Sequence, residues 1–186
     1  MSCGLTTGWV LDCKDAIGGV KSVRFATLAN YTALQATVSS GEVTAIGSAS
    51  TVFYKYDQLK ESSSFTDNIV STITTGGVHY SPTLTVVLPK LKSNKRNEMK
   101  LLAQNRVVAI VETMDASPTY WVLGAYNGLE LSEGSATTGT AAADLNGYTL
   151  TFMGLETEPA MAINPASGTV ATLLASITSS TQSSVQ

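Results

Sequence analysis

The side chains that could carry acid–base or nucleophilic chemistry are few and badly spaced for it. His79 is the one histidine, in the run Gly76-Gly77-Val78-His79-Tyr80-Ser81-Pro82. A serine hydrolase would need it as general base. No Gly-x-Ser-x-Gly elbow is present to raise a nucleophile, so a strand histidine without a special role is the simpler reading. Glu156 and Glu158 are carboxylates of the type a glycosidase pairs. Two residues apart on a strand, however, they share one face and repel instead of flanking a cleft. Cys3, Cys13 and His79 are too few to close a four-ligand zinc site, and free thiols are the simpler reading of the two cysteines in a reducing compartment. Neither a GxxxxGK(S/T) loop nor a GxGxxG turn occurs. The expectation is no catalysis, no cofactor and no metal.

Nucleic-acid binding is the next chemistry to weigh. Six of the eleven basic residues fall in one stretch, Lys90, Lys92, Lys95, Arg96, Lys100 and Arg106. A nucleic-acid-binding domain is usually basic overall, with a pI above about 9, whereas this chain has a sequence pI near 5.1. No aromatic residue interleaves the charges to stack a base, and Glu98 interrupts them. Met99, Leu102 and Ala103 recur at helical spacing, with Arg96 and Lys100 on a flank. The stretch therefore predicts one main helix over about residues 93 to 105, capped by Ser93 or Asn94. Met99, Leu102 and Ala103 should face a sheet, and Arg96 and Lys100 should face solvent.

The elements that must surround this helix are β. Only 13% of the 186 residues are charged, about half the usual share; Ser, Thr and Gly take their place, which favours strands over helices. The length suits one domain. No apolar run reaches the ~18 residues of a membrane helix, and the N-terminus lacks the pattern of a secretory signal. Charge is divided along the chain. Residues 107–186 contain seven acids and no Lys, Arg or His, whereas residues 1–106 hold eleven basic residues against seven acidic ones.

Along the chain, Trp9-Val10-Leu11 reads as a strand between turns, and residues 20–34 as one or two strands. A Ser40-Gly41 turn leads to a β-rich run at Thr51-Val52-Phe53-Tyr54. Residues 59–89 predict a long, partly exposed hairpin turning at Gly76-Gly77. Val107–Val111 is continuous enough to be a central strand buried on both faces. Asn127-Gly128 predicts a second hairpin. Tyr148, Leu150 and Phe152 alternate with Thr149, Thr151 and Met153 on a closing strand. The domain is drawn at 1–163, with a Ser/Thr-rich tail over 164–186 that is disordered or ordered only by a neighbour.

The order of elements from about Val52 to Pro159 resembles the major tail tube proteins of tailed bacteriophages, most closely structural proteins of phages infecting Bacteroidetes. The segments that carry the likeness are TLTVVLPKL, KRNEMKLLAQN, RVVAIVE, YWVLGAYNGLEL, GSATTGTAAADLNG and YTLTFMGLETEP. The resemblance implies a β-sandwich or barrel-like domain with one flanking helix and an extended hairpin. It further implies rings, usually of six, stacked into a tube whose acidic lumen passes DNA without binding it. Partners would be copies of the same chain and other tail proteins, with no membrane; the place would be the virion tail, assembled in the host cytoplasm. On this basis Lys60, Glu61, Phe65, Thr66 and Asp67 are assigned to an inter-subunit contact, Phe65 being a large apolar residue in a polar segment. Arg96, Met99, Lys100 and Leu102 are assigned to the outer helix. A capsid decoration or head-to-tail connector protein, or a carbohydrate-binding β-sandwich, would share the β fold.

Overall fold

The computed structural model describes residues 8, 17–46, 53–74, 76–115, 117–165 and 169–179; Cys3, Cys13 and the expected strand at Trp9-Val10-Leu11 lie outside them. The chain is mainly β. Its organising strand is β7 (Val107–Thr113), in which the first six residues are all buried. One edge of β7 takes β1 (Val20–Thr27) along its whole length, from Thr27 opposite Val107 to Val20 opposite Thr113. The other edge takes β8 (Tyr120–Leu123) at Ala109 to Glu112, and β9 (Leu129–Thr137) only at Val107. The strands β2 (Thr37–Ser39), β3 (Glu42–Ala45) and β11 (Met161–Ile163) extend the sheet beyond β8, while β4 (Phe53–Asp57) and β12 (Thr178–Ser179) extend it beyond β1. β9 leads away into a second group, β9–β10–β6–β5, where β5 is Ser64–Thr72, β6 is Gly77–Pro89 and β10 is Gly147–Gly154. A single residue pair, Val107 and Leu129, is thus the seam between two sheets.

Two cores follow from the period-two alternation of β7. Val107, Ala109 and Val111 pack with Val23 and Phe25 against Leu84, Val86, Leu88, Leu150 and Phe152 of the second sheet. Phe25 and Phe152 meet across this gap with ring centroids 5.1 Å apart. Val108 and Ile110 face the opposite way. They are covered by Tyr31 and Leu34 and by Leu174 and Ile177, from or beside two short helices, α1 (Leu28–Ala33) and α3 (Val170–Ile177). The arrangement is a β-sandwich with an added helical layer, and it explains why β7 tolerates no polar residue before Glu112.

The main helix, α2 (Ser93–Gln104), joins β6 to β7 as its spacing predicts. Leu102 is buried and Met99 packs against the first core, while Arg96 and Lys100 are exposed. Ala103 is also exposed, because the inward stripe runs through Met99 and Leu102 and leaves Ala103 on its flank. The cap expected at Ser93 or Asn94 is instead Lys92, which has extended backbone and no side-chain capping bond. Ser93 is already inside the first turn, so its hydroxyl is past the capping position.

Three further expectations change. Residues 20–34 are one strand followed by α1, capped by the Thr27 hydroxyl, which accepts from Asn30 N at 3.3 Å. The Ser/Thr-rich stretch after Asn164 supplies α3 and β12 to the second core; the eight residues Val170–Ile177, capped by Thr169, bury Leu174 and Ile177 three apart on one helix face. Asn127-Gly128 does not close a hairpin. β8 pairs with β7 and β11, while β9 pairs with β10 and meets β7 at Leu129. The strands flanking that turn belong to different sheets, and partners distant in sequence outcompete the local pairing.

Truncating Leu102→Ala should lower stability by about 2–4 kcal/mol by leaving a cavity under α2. Ala103→Glu should stay within about 0.5 kcal/mol of the parent, as an exposed substitution does. Urea unfolding measures both, and equal losses at the two positions would mean that α2 docks by another face.

Candidate functional site

The second sheet presents one face to the core and the other outward. Register fixes which residues share each face. Phe65, Leu84 and Phe152 form an inward row, continued by Leu131. The adjacent outward row crosses all four strands as Ser64, Thr85, Thr151 and Glu133, and the next as Thr66, Thr83, Met153 and Glu130. A third outward row joins Val87, Thr149 and Ser135. These three rows consist of hydroxyls, two apolar side chains and two acids, and contain no base. Glu130 lies at the margin, where Arg106 Nε donates to its Oε1 at 2.7 Å. A shallow open concavity lies among Glu133, Gly134, Ser135, Thr149 and Thr151.

β5 forms the free edge of this sheet, and its hairpin with β6 runs past the body. Among the described residues Tyr80 is the outermost of the hairpin tied to the body, exchanging backbone bonds with Glu156 of 2.9 and 2.8 Å. Beyond it the pairs Val70–His79, Ser71–Val78 and Thr72–Gly77 are exposed. Three residues at ~3.4 Å each project the hairpin by about 10 Å before its turn. Residues 68–89 contain no Asp, Glu, Lys or Arg, so the edge beyond Asp67 lacks the charges with which edge strands ordinarily block pairing. Ile69 is 70% exposed, Ile73 98% and Val78 54%. Ile69 and Val78 continue the inward-facing side of the hairpin out into solvent, where none of the described residues covers them.

The residues assigned from sequence separate accordingly. Lys60 and Glu61 are exposed in the β4–β5 turn, with Glu61 at φ +59°. Phe65, Thr66 and Asp67 lie on β5. Phe65 is half-buried on the first core, its ring 6.3 Å from that of Trp121, so the apolar exposure inferred for it belongs to Ile69, Ile73 and Val78. Thr66 points outward with the hydroxyl rows. Asp67 turns inward, and its Oδ2 accepts from Ala160 N at 2.8 Å. Arg96, Met99, Lys100 and Leu102 are together on α2, apart from the hairpin tip. His79 is exposed on the projecting hairpin.

Two buried carboxylates, Glu112 and Glu156, make contacts that the sequence does not signal. Glu112 closes the polar end of β7. A β-bulge between Val20 and Ser22 sets Lys21 and Ser22 beside it. Ser22 Oγ donates to Glu112 Oε2 at 2.6 Å, Lys21 Nζ lies 2.8 Å from Oε1, and Arg24 Nη1 is 3.4 Å from Oε2. Arg24, itself buried, stacks 5.7 Å from the centre of the Tyr120 ring. Burial opposes ionisation of Glu112, but the bonds from Lys21 and Ser22 and the two cations outweigh it and hold the carboxyl below its ordinary range.

Glu156 is the second. Its carboxylate sits beneath the turn that joins the two sheets and accepts from Tyr126 N at 3.2 Å and Asn127 N at 3.0 Å. Burial, the largest influence, pushes its pKa up against these bonds. The only sequence sign of the clamp was an acid following a Gly-Leu pair, which has no distinctive spacing. Glu156 is buried and Glu158 exposed, so the two do not act as a pair.

Among the described residues no group of three or more His, Cys, Asp or Glu side chains is placed to hold a metal, and no helix is long and apolar enough to cross a membrane. Comparison with protein-family models, curated proteins and solved structures found no match to this chain.

Glu112→Gln should cost about 3–5 kcal/mol, because Arg24 is left buried without its counter-charge. A carboxyl depressed in the folded state adds stability above its unfolded pKa and loses it as pH falls through the folded value. The parent should therefore lose stability on acidification more steeply than Glu112→Gln. Parallel acid limbs in thermal melts across pH would exclude this role for Glu112.

Proposed function

We propose that the chain is a virion structural protein, a bacteriophage tail tube subunit whose copies close into rings, six per ring by the resemblance, and stack around a channel for the genome. The observation that carries this reading is the second sheet. Its outward rows of hydroxyls and acids adjoin a projecting hairpin whose edge is uncharged beyond Asp67. As a channel lining, such a face repels phosphate, its rows holding no cation and the Arg106 at its margin being paired with Glu130. As an edge, β5 is open to pairing with a neighbouring copy, and ring closure removes edges that would otherwise aggregate. The later strands β9 and β10 and the earlier β5–β6 hairpin belong to one sheet. Lys92, Arg96 and Lys100 are exposed on α2, which on this reading lies on the outer side.

Negative-stain images of concentrated protein should show tubes or stacked rings. Ile73→Asp, which puts a charge at a site 98% exposed in the isolated chain, should leave the fold intact and abolish assembly. Dispersed monomers of the parent, or unchanged tubes from the variant, would defeat the proposal. Duplex DNA titrated onto assembled tubes at low salt, where charge attraction is strongest, should show no saturable binding.

A further inference from the structure

The turn that crosses between the sheets contains Asn127-Gly128, a dipeptide prone to spontaneous deamidation because glycine offers an unhindered backbone nitrogen. The fold requires both residues. Gly128 has φ +83°, and a Cβ there would come within 3.2 Å of Arg106 Cβ and 3.3 Å of Leu28 Cδ2. Asn127 Nδ2 donates to Leu155 O at 2.6 Å, tying the turn to the strand end behind it. Neither residue can be exchanged cheaply, so the chemical weakness stays in the sequence.

Deamidation begins when the Gly128 nitrogen loses its proton and attacks Asn127 Cγ. The N–Cγ bond forms, the Cγ–Nδ2 bond breaks and ammonia leaves. Solvent water then opens the succinimide to aspartate or isoaspartate. The geometry opposes the first two events. The backbone N–H of Asn127 donates to the Glu156 carboxylate at 3.0 Å, which sets that charge beside the next amide, that of Gly128, and a negative charge beside an amide disfavours making that amide an anion. The bond to Leu155 O restrains the Asn127 amide from turning toward Gly128.

We propose that Glu156 guards Asn127 as a latent modification site, closed while its carboxylate sits under the turn and open once that carboxylate is lost. The reaction would be self-committing. Isoaspartate adds a methylene to the backbone and shifts the N–H groups off Glu156, and either product sets a second negative charge beside a buried one. Asn146-Gly147 is a control within the same chain. Gly147 is held in the sheet opposite Pro89 and Thr137, without Glu156.

The test follows ammonia loss by peptide mass mapping during incubation of the full chain at mildly alkaline pH. Folded parent, parent in denaturant and Glu156→Gln are compared, with Asn127 and Asn146 read in each. Losing hydrogen bonds to a charged group should speed Asn127 by about tenfold in Glu156→Gln, with Asn146 unchanged. Folded parent should deamidate at Asn127 far more slowly than parent in denaturant, a comparison that stands whether or not the variant folds. Equal rates at Asn127 in folded and denatured parent would overturn the proposal. So would a folded Glu156→Gln protein that spares Asn127, or one that speeds both sites alike.

Discussion

Six consecutive buried residues on one strand constrain everything around them. Val107 to Glu112 alternate between two faces, and neither can be left to water. Burying a Val or Ile side chain contributes roughly 1.5–3 kcal/mol, so exposing either face of β7 would cost several such contributions. One face is met by the second sheet and the other by α1 and α3. The three-layer form, the seam at Val107 and the separation of β8 from β9 all follow from covering this strand twice.

The polar groups are arranged around the same strand. Glu112 is where β7 stops being apolar, and its charge is balanced by Lys21 and Arg24 on the neighbouring strand. Glu156 does a comparable service for the crossing between sheets, since that turn has no partner strand to receive its N–H groups. Glu156 replaces a backbone interaction that the regular ladder cannot supply, whereas Glu112 pairs the side chains of Lys21, Ser22 and Arg24, both in keeping with the rule that buried polar groups find partners.

Much of the architecture was legible where one period dominated. The β5–β6 hairpin, β7, β10 and α2 were read correctly because alternation, a continuous apolar run or a three-four spacing left a single solution. The failures have a common physical origin. Asn127-Gly128 carries a strong local hairpin signal, yet long-range pairing of both flanking strands decided otherwise. α1 was hidden because Leu28-Ala29-Asn30-Tyr31 has no more helical than extended character until Tyr31 and Leu34 are packed. Around the candidate site the hairpin was placed, but Phe65 was credited with exposure that belongs to Ile69 and Ile73. Sequence shows that a residue is apolar; only register shows whether the core reaches it. Glu112 and Glu156 were illegible because their partners lie 90 and about 30 residues away.

The parallel pairing of β12 with β4 sets Thr178 beside Phe53. Phe53 is fully buried, and the cluster that buries it includes Leu174 and Ile177. During synthesis at about 5–20 residues per second, Phe53 therefore waits roughly 6–25 s for the helix that completes its shelter. The second core cannot close on a nascent chain still tethered before that point. Maturation of this layer is a late step that waits for residues 174–179, and a product truncated before them would carry an open, aggregation-prone β4 edge while its first core was already formed.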